Sequence, residues 1–372
     1  MTAAPLAAPL AALAAGGTGG HLFPARALAE ALLARGWRVA LLTDERGLRI
    51  GRDVPGVDAH ALTAGTFSTG GLAARLRGLT RFLRGYLEAR RLLRRLSPQV
   101  VVGFGGYPSL APGLAAAHQR RRLVLHEQNQ VAGLANRILA RSAAAIGTSF
   151  VPLAGLPAGC RAEIVRVGSP VRAPIVAVGR EPYPDPEAEG RVHLLVTGGS
   201  QGATAFDSLI PAAVERLGAD LRARLSIAQQ VRGDLQGVAD VYRRCGVTAD
   251  LQPFFDDMDR RLAAAQLLIC RSGASTLAEL AAAGRPALLI PYPHSADDHQ
   301  RGNAEAFAAA GGGWVLPQAG LTPEGLAARL EQLLRDPAAL ARAAAAARAF
   351  ALDESAERLA DLVTGTQRTP VS

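Results

Sequence analysis

The stretches AAGGTGGH at 14–21 and VTGGSQGA at 196–203 decide the fold, because each carries an apolar segment into a glycine-rich turn. Glycine lets the backbone turn sharply and approach a phosphate, and a helix that begins at such a turn offers unpaired N–H groups. The signal occurs twice in a chain of 372 residues, a length expected for about two domains. The sequence therefore predicts two similar α/β domains in tandem.

Short apolar runs alternate with helix-period stretches along the chain. The predicted strands after the opening one lie at 37–43, 99–104, 122–126, 192–197, 266–270 and 286–290. The predicted helices lie at 25–35, 72–96, 203–217, 275–283 and 300–310. This alternation predicts doubly wound parallel sheets covered by helices, with ligands at the carboxyl ends of the strands. A polar, proline-rich stretch at 168–190 is the expected linker between domains at 1–167 and 191–350.

Composition places the chain among globular proteins. Hydrophobic residues make up 49% of it, enough for two buried cores, and its three cysteines, Cys160, Cys245 and Cys270, are isolated. Isolated cysteines indicate neither a disulfide framework nor a zinc site. The apolar opening residues lack a basic segment, and no apolar run approaches the ~20 residues of a membrane span. We therefore expect a protein that is soluble or lies on a membrane surface.

Positive charge is concentrated in the first half of the chain. The net charge is +9, and from Met1 to Glu163 there are 20 arginines against 8 acidic residues. The remainder has 21 arginines and 24 acidic residues. A basic first domain is typical of a protein that faces an anionic surface, either nucleic acid or membrane.

The stretch at 72–96, LAARLRGLTRFLRGYLEARRLLRRL, predicts a basic amphipathic helix. Apolar residues recur at spacings of three and four, and eight arginines stand against one acid, Glu88. Packing in a core would explain the apolar stripe but not the charge, so the pattern favours an anionic membrane surface. The residues expected to contact that surface are Arg75, Leu76, Leu79, Arg81, Phe82 and Arg84.

His21 ends the first glycine-rich turn and is the first candidate for a catalytic base. Its imidazole titrates near neutral pH and would project towards a ligand at the start of a helix. A single histidine is more often a structural hydrogen-bonding group, so both roles stay open at this point. Asp44 lies near the spacing at which dinucleotide-binding domains carry an acid, which keeps an NAD-dependent oxidoreductase as an alternative.

Polar residues follow the strand predicted at 122–126, in the sequence His126-Glu127-Gln128-Asn129. Such residues are costly to bury unpaired, so they indicate a lined site. The stretch GFGGY at 103–107 is another flexible strand end, and it should reach the same edge of the sheet.

In the second half, GGSQGA at 198–203 and CRSGASTLAE at 270–279 each follow a strand and begin a helix. Such loops suit a phosphate, and Glu279 could accept two ribose hydroxyls. A surface acid stabilised by the helix dipole is the alternative for Glu279. The segment HSADDHQ at 294–300 is too crowded for a metal shell and lacks a partner motif, so no metal site is expected.

Together these motifs closely resemble the MurG family, the peptidoglycan N-acetylglucosaminyltransferases that convert lipid I to lipid II. The resemblance covers nearly the whole chain, in the motifs GGTGGH, GFGGY, HEQN with AGLAN, GSPVR, GGSQGA, PFFDDM, CRSGASTLAE and DDHQ with NA. It implies the GT-B fold, in which two Rossmann-like domains face a central cleft. It also implies that the C-terminal helix, 351–372, returns to the first domain.

The resemblance further implies residue roles. Phe255 would lie by the uracil, Glu279 would take the ribose hydroxyls, and Arg172 would lie near the diphosphate. The residues implied to bind the donor, UDP-GlcNAc, are Thr18, Gly19, Asn129, Arg172, Gly199, Ser200, Gln201, Gly202, Phe255, Ala274, Ser275, Thr276, Glu279, His299 and Gln300. Those implied to bind the acceptor, lipid I, are Gly17, Gly20, Tyr107 and Asn136.

The implied reaction is an inverting displacement in which the C4 hydroxyl of MurNAc attacks the anomeric carbon of UDP-GlcNAc. His21 is the first choice of base, with Glu127 or His126 as rival. No cofactor and no dedicated metal are expected. The implied partners are UDP-GlcNAc, undecaprenyl-linked lipid I, an anionic membrane surface and the cell-wall and division machinery, but not nucleic acid. The implied location is peripheral, at the cytoplasmic face of the cell membrane.

Other functions remain open from the residues. Another GT-B enzyme, such as a glycolipid synthase or a UDP-GlcNAc 2-epimerase, would share the nucleotide domain. A non-catalytic nucleotide sensor would share it too. Four positions depart from the commoner family pattern, in ways that bear on sugar contacts: Ser169, Asp207, Ser275 and His299.

Overall fold

The computed structural model describes residues 8–16, 19–45, 47–48, 54–65, 72–184, 190–199 and 203–366. The chain forms two compact units. The first unit comprises the residues up to Pro170 together with those from Glu354 onward, and the second runs from Val171 to Asp353. Each unit is built on one parallel sheet.

The sheet of the first unit has the strand order β3-β2-β1-β4-β5-β6-β7, and all its pairs are parallel. Chain order reverses between β1 and β4, so the loops that follow these two strands lie where doubly wound sheets bind ligands. The strands are β1 Leu10–Ala14, β2 Arg38–Thr43, β3 Val57–Ala61, β4 Val100–Gly103, β5 Arg122–Glu127, β6 Ala145–Thr148 and β7 Glu163–Arg166.

Both faces of the first sheet are covered, because alternate residues of its central strands belong to different cores. Ala11 and Leu13 of β1 face one core, whereas Leu10 and Ala12 face the other. Period-two alternation between two buried faces explains why these strands are apolar throughout. The helices of this unit are α1 Gly19–Ala34, α2 Leu72–Leu96, α3 Tyr107–His118, α4 Leu134–Leu139 and α14 Ser355–Thr364, with a 3₁₀ turn at Ala140–Ser142.

The last helix, α14, packs in the first unit. Leu359 and Val363 of α14 are buried in the core that also contains α1. At the surface, Arg35 forms ion pairs with Glu357 at 2.5 Å and Asp361 at 2.8 Å. Apolar burial and paired charges therefore both tie α14 to this unit.

Helix α2 lies close to the loop 62–65 because it carries glycine on its inner face. A Cβ at Gly85 would be 2.0 Å from the carbonyl oxygen of Thr63. Glu88 holds the same loop, since its carboxylate accepts hydrogen bonds from the backbone N–H of Thr63 at 2.8 Å and from its hydroxyl at 3.1 Å. The half-buried Phe82 packs against the core on this side.

The sheet of the second unit has the order β10-β9-β8-β11-β12-β13, again with parallel pairs. Here chain order reverses between β8 and β11, so Gly198 and Gly199 after β8 and the loop 271–273 after β11 lie where doubly wound sheets bind ligands. The strands are β8 Val192–Thr197, β9 Leu225–Gln230, β10 Thr248–Gln252, β11 Leu267–Cys270, β12 Ala287–Leu289 and β13 Gly313–Val315.

The helices of the second unit surround a core in which β8, β9 and β11 contribute alternate residues such as Leu194, Ile227 and Ile269. The helices are α5 Ala173–Val178, α6 Thr204–Glu215, α7 Ala219–Arg224, α8 Leu235–Arg244, α9 Met258–Ala264, α10 Ala274–Ala283, α11 His299–Ala309, α12 Pro323–Leu334 and α13 Pro337–Phe350, with a 3₁₀ turn at Ala296–Asp298.

Part of the stretch predicted as a linker belongs to the second unit instead. Helix α5 lies within 168–190, and its Ile175 and Val178 are buried. It packs against α9 and α10. Tyr183 continues the attachment, because its hydroxyl donates to the carbonyl oxygen of Gln266 at 2.6 Å. The proline and glycine residues that suggested a linker therefore flank a short docked helix.

Candidate active site

In the first unit, the side chain of His21 projects from the first turn of α1, at the carboxyl edge of the sheet. Its Nδ1 lies 2.8 Å from the carbonyl oxygen of Phe104, which directly follows β4. The two strands at the reversal of chain order thus fix this ring together. Gly17 and Thr18, expected to bind substrates, lie outside the described residues, and Gly19 and Gly20 begin α1.

The backbone of Gly105 and Gly106 lies against the His21 ring. Both glycines have positive φ, +82° and +72°, a region that other residues seldom occupy. A Cβ at Gly106 would also be only 3.2 Å from Nε2 of His21. The GFGGY motif therefore needs glycine for its turn and for its contact with the imidazole.

Glu127 is the centre of a hydrogen-bond network, and its side chain is buried. Its Oε1 accepts from the backbone N–H of Asn129 at 3.0 Å and from the Asn129 amide at 3.2 Å. Its Oε2 accepts from the N–H of Gly133 at 2.9 Å and from the amide of Asn136 at 2.8 Å. This carboxylate therefore ties the HEQN loop to the start of α4, where the AGLAN motif lies.

His126 and Asn136 are more deeply placed than a substrate-lining role requires. His126 is 0% exposed, and its Nε2 donates to the carbonyl oxygen of Gly168 at 3.0 Å. Burial lowers the pKa of His126, although the contact with Gly168 opposes the shift. Asn136 is 1% exposed and donates to the carbonyl oxygen of His126 at 3.1 Å. Both side chains act within the fold of the site.

A cavity of about 860 Å³ opens beside His21 in the first unit. Asp44 lines it and accepts a hydrogen bond from the N–H of Gly47 at 2.9 Å. The opposite wall includes Tyr107 of α3, Thr63 and the arginines Arg81 and Arg84 of α2. A single cavity therefore extends from the candidate base to the basic helix.

In the second unit, hydrogen bonds of Thr197, the last residue of β8, hold the start of the glycine loop. The hydroxyl of Thr197 accepts from the N–H of Gly199 at 3.1 Å and donates to the side-chain oxygen of Gln230 at 2.6 Å. Gly199 has φ +72°, so glycine is needed there. Ser200, Gln201 and Gly202, predicted to bind the diphosphate, lie outside the described residues.

The loop after β11 leads into α10, which begins at Ala274. Ser275 and Thr276 are partly exposed in its first turn, and the Thr276 hydroxyl faces the Gly199 backbone, with 3.6 Å to a Cβ built there. Further along, Glu279 pairs with Arg172 at 3.0 Å. Burial raises the pKa of Glu279, and the charge of Arg172 opposes this shift.

Phe255 is 3% exposed, and the guanidinium of Arg261 stacks 3.8 Å from its ring centre. Arg261 is held there by Asp257 at 2.6 Å and Asp250 at 2.7 Å. The Phe255 ring is therefore covered, which leaves its backbone as the part that could contact a base.

His299 and Gln300 begin α11, next to the loop after β11. Nδ1 of His299 donates to the carbonyl oxygen of Ala296 at 2.5 Å. The Gln300 side-chain oxygen accepts from the N–H of Tyr292 at 2.9 Å, and its carbonyl oxygen accepts from the Ser272 hydroxyl at 2.6 Å. The CRSGAST loop therefore holds the backbone of Gln300 through Ser272, whereas His299 is held by the 3₁₀ turn at Ala296–Asp298.

Sequence reasoning gave no role to Arg271 and missed its burial. Arg271 is 6% exposed and donates to the carbonyl oxygens of Ile290 at 2.9 Å and Pro291 at 3.1 Å. Burial lowers its pKa. Its guanidinium also donates to the side-chain oxygen of Gln318 at 2.6 Å, so this buried charge ties the segment after β12 to the end of β11. An arginine directly after an apolar strand was the available signal.

Asp207 also has a structural explanation. Its Oδ2 accepts from the backbone N–H groups of Arg232 at 3.0 Å and Gly233 at 2.7 Å, so an acid at this helix position holds the loop after β9. Within the described ranges, no three His, Cys, Asp or Glu side chains come together in a way that could hold a metal ion.

Comparison with known proteins agrees with this architecture. The N-terminal domain model of glycosyltransferase family 28 matches residues 11–148, and the C-terminal domain model of the same family matches 193–360. With two doubly wound parallel sheets, these matches define a glycosyltransferase of the GT-B fold. A calicheamicin glycosyltransferase at 19% identity, covering 97% of this chain and 98% of its own with a TM-score of 0.65, shares the fold alone.

More similar relatives define the family within that class. A Rhodospirillum centenum protein is 54% identical over 95% of this chain and 93% of its own length. It is named UDP-N-acetylglucosamine--N-acetylmuramyl-(pentapeptide) pyrophosphoryl-undecaprenol N-acetylglucosamine transferase, as is a Rhodospirillum rubrum protein at 48% identity over 95% and 91%. The crystal structure of Acinetobacter baumannii MurG has a TM-score of 0.79 at 29% identity over 96% and 99%. The chain belongs to the MurG family.

Proposed function

We propose that this enzyme transfers GlcNAc from UDP-GlcNAc to the C4 hydroxyl of MurNAc in lipid I, forming lipid II. The observation that carries the proposal is the placement of His21 beside a cavity of about 860 Å³ in the first unit, with its Nδ1 against the Phe104 carbonyl. Nε2 is then the nitrogen that takes the hydroxyl proton. Membership in the MurG family supports the choice of donor and acceptor.

The second unit supplies the groups that hold the donor. The loop at 198–203 and the first turn of α10 offer backbone N–H groups to the diphosphate. Arg172, which pairs with Glu279, adds a positive charge. As the anomeric carbon leaves the diphosphate oxygen, the developing negative charge on UDP is stabilised by these groups.

The first unit supplies the acceptor site and the base. The cavity beside His21 is lined by Tyr107, Arg81 and Arg84, and its arginines suit the diphosphate of a lipid-linked sugar. Glu127 and His126 are the less suitable bases. The first has both oxygens engaged by N–H donors, and the second has no exposed surface. Asn136 supports this loop through Glu127.

The direct test is acceptor-dependent release of UDP. With UDP-GlcNAc and a lipid I analogue, we expect stoichiometric UDP and a β-1,4-linked disaccharide product. A UDP-GlcNAc 2-epimerase would convert UDP-GlcNAc to its C2 epimer without acceptor, and a glycolipid synthase would respond to diacylglycerol. Either outcome, in place of dependence on lipid I, would refute the proposal.

Donor binding should weaken as the pH falls, at a higher pH than for an ordinary carboxyl. Because burial raises the pKa of Glu279, this carboxylate gains a proton early on acidification. The neutral form accepts ribose hydroxyls less well and loses its ion pair with Arg172. Calorimetry with UDP-GlcNAc across the acid range measures the effect.

The matched variant is Glu279→Gln, which should bind UDP-GlcNAc weakly at every pH and flatten the dependence. Glu215→Gln, far along the chain on α6, is the control for a single lost acid. If the wild type and Glu279→Gln kept the same slope of affinity against pH, Glu279 would not be the responsible group.

We also propose that α2 docks on the anionic cytoplasmic face of the membrane. Its Leu76, Leu79, Leu83 and Leu87 are 54%, 45%, 50% and 44% exposed, so the apolar stripe is not used by the core. Phe82, expected at the membrane, packs against the core instead, and Leu83 and Leu87 extend the stripe. Apolar and basic residues on one exposed helix are typical of interfacial binding.

Among the described residues, no helix combines the length and apolarity that crossing a bilayer requires. The proposed attachment is therefore peripheral and electrostatic in part. Partners in the cell-wall and division machinery belong to the same proposal and rest on family membership.

Neutralising Arg75, Arg81 and Arg84 with glutamine should weaken binding to anionic vesicles about 100-fold, at roughly 1 kcal/mol for each charge. Co-sedimentation with phosphatidylglycerol vesicles measures the loss, and added salt should weaken the wild type in the same direction. Changing Arg243, Arg329 and Arg342 of the second unit to glutamine removes equal charge and should have little effect. Equal binding by both triple variants would contradict docking through α2.

A further inference from the structure

Nδ1 of His21 lies between two groups that compete for it. The carbonyl oxygen of Phe104 is 2.8 Å from Nδ1, and the amide Nε2 of Gln128 is 3.0 Å from it. Gln128 is 6% exposed, and its Oε1 is buried without a hydrogen-bond partner. The reaction as proposed above makes no use of this buried carboxamide.

Hydrogen-bond chemistry decides which atoms face each other. A carbonyl oxygen only accepts, so its 2.8 Å contact requires a proton on Nδ1. The amide nitrogen of Gln128 would then set a second donor against the first. Turning the carboxamide about its last bond exchanges its oxygen and nitrogen, which gives the Nδ1 proton a second acceptor and the buried oxygen a donor. The amide nitrogen is then the one group that takes the buried position in which Oε1 had no partner.

The opposite tautomer satisfies fewer groups. With Nδ1 unprotonated, the Gln128 amide could donate to it, but the Phe104 oxygen would face a lone pair and Oε1 of Gln128 would stay unpaired. Buried polar atoms are rarely left in that state. The arrangement with a proton on Nδ1 is therefore the one that the surroundings favour.

We propose that Gln128 is a positioning residue for the base: its carboxamide oxygen and the Phe104 carbonyl together hold the proton on Nδ1 of His21. The lone pair is thereby kept on Nε2, the nitrogen next to Gly106. This inference rests on the proposed function, in which His21 is the base. It explains why a glutamine, with an acceptor but no charge, stands between Glu127 and Asn129.

Gln128 takes no part in the bond changes of the proposed step. Nε2 of His21 takes the proton of the acceptor hydroxyl while its oxygen forms the bond to the anomeric carbon. The bond from that carbon to the diphosphate oxygen breaks, and UDP leaves with the electron pair. The ring is then an imidazolium with both nitrogens protonated, and the two acceptors at Nδ1 stabilise it.

Other titratable groups near His21 set the background for a pH test. On β5, His126 is kept neutral by burial and Glu127 is engaged by its N–H donors. The charged or titratable groups that line the cavity with His21 are Asp44, Glu45, Arg81, Arg84, Glu88 and Tyr107. Because the Gln128 carboxamide lies 3.0 Å from Nδ1, a change at residue 128 acts on that nitrogen directly.

The tautomer can be read in the full-length wild type by NMR of ¹⁵N-labelled histidine. The chain has 7 histidines, and the signals of His21 are assigned by comparison with His21→Asn. We expect the neutral ring to carry its proton on Nδ1. A ring protonated on Nε2 would overturn the proposal without any variant having to fold.

Two variants then test the role of Gln128, because they should shift the acidic limb of the pH profile in opposite directions. Gln128→Met keeps the size but removes the acceptor, so kcat should fall about tenfold and the acidic limb of kcat/KM should move to lower pH by up to roughly one unit. Gln128→Glu places a carboxylate at Nδ1, stabilises the imidazolium and should move that limb to higher pH. Gln130→Met in the same loop is the control, and its profile should match the wild type.

A purely structural role for Gln128 would lower activity in both variants without moving the limb, and that result would refute the proposal. Failure of the wild type to release UDP with lipid I is a different outcome, because it would refute the proposed function. The tautomer measurement would still test the arrangement at Nδ1 independently.

Discussion

Replacing His21 by alanine should lower kcat by about 10²–10⁴-fold, the usual contribution of a general base. The ring is the imidazole of the acceptor cavity, and its Nδ1 proton is directed at Phe104. Without it, the MurNAc hydroxyl must lose its proton to water. Donor affinity should change little, because the donor-binding groups of the second unit are intact. Single-turnover kinetics with saturating lipid I analogue measures the chemical step.

His21→Asn separates chemistry from packing. Asparagine can still donate to the Phe104 carbonyl but has no basic nitrogen, so it should be as inactive as alanine and more stable to heat. His118→Ala, which removes an exposed histidine hydrogen-bonded to Tyr86, is the control and should retain activity. Near-wild-type turnover in His21→Ala would show that His21 is not the catalytic base.

The double glycine-loop pattern was sufficient to predict the fold. The predicted strands at 192–197 and 122–126 correspond to β8 and β5, and the predicted helix 72–96 to α2. Continuous apolar runs between helical stretches specify parallel sheets almost regardless of detail. The limits of the linker were not predictable in this way, since α5 is short and is stabilised by packing rather than by its own sequence.

The sequence indicated which residues belong to the site, but not which of them are buried and paired with one another. The HEQN motif was expected to line a site, yet sequence cannot separate a lining residue from one paired internally. Nε2 of His126 is paired with the carbonyl oxygen of Gly168, which lies 42 residues further on. Gln128 was missed for the same reason, because its importance arises from a 3.0 Å contact with a residue 107 positions away.

The exposed apolar stripe of α2, unlike the pairing of the HEQN residues, was largely predictable from the sequence. Composition alone favoured membrane contact over core packing, and the leucines at 76, 79, 83 and 87 are indeed exposed. Phe82, expected at the membrane, is half-buried against the core instead, on the side where Gly65 and Gly85 let the loop 62–65 and the helix lie close together. Helical periodicity in the sequence predicts which residues form an apolar stripe. The segments packed against the helix decide which edge of that stripe is buried.

Glu127→Ala should lower the free energy of unfolding of the first unit by about 3–5 kcal/mol, the usual cost of breaking a buried charged network. Its four hydrogen bonds reach Asn129, Gly133 and Asn136, and these donors would lose the carboxylate as their acceptor. With roughly 2–4 °C for each kcal/mol, Tm should fall by about 10 °C. Thermal unfolding and urea titration measure the loss.

Glu127→Gln tells a positioning role from a catalytic one. Its amide group must face one of the N–H donors that now bind a carboxylate oxygen, so we expect a loss of about 2 kcal/mol. Glu163→Gln, an exposed acid on β7, should change stability by no more than about 0.5 kcal/mol. If Glu127 were the base instead, Glu127→Gln would unfold like the wild type and yet be inactive. Lost stability and lost activity together are the result that the hydrogen-bond network predicts, because the loop that carries Gln128 and Asn129 would no longer be held in place.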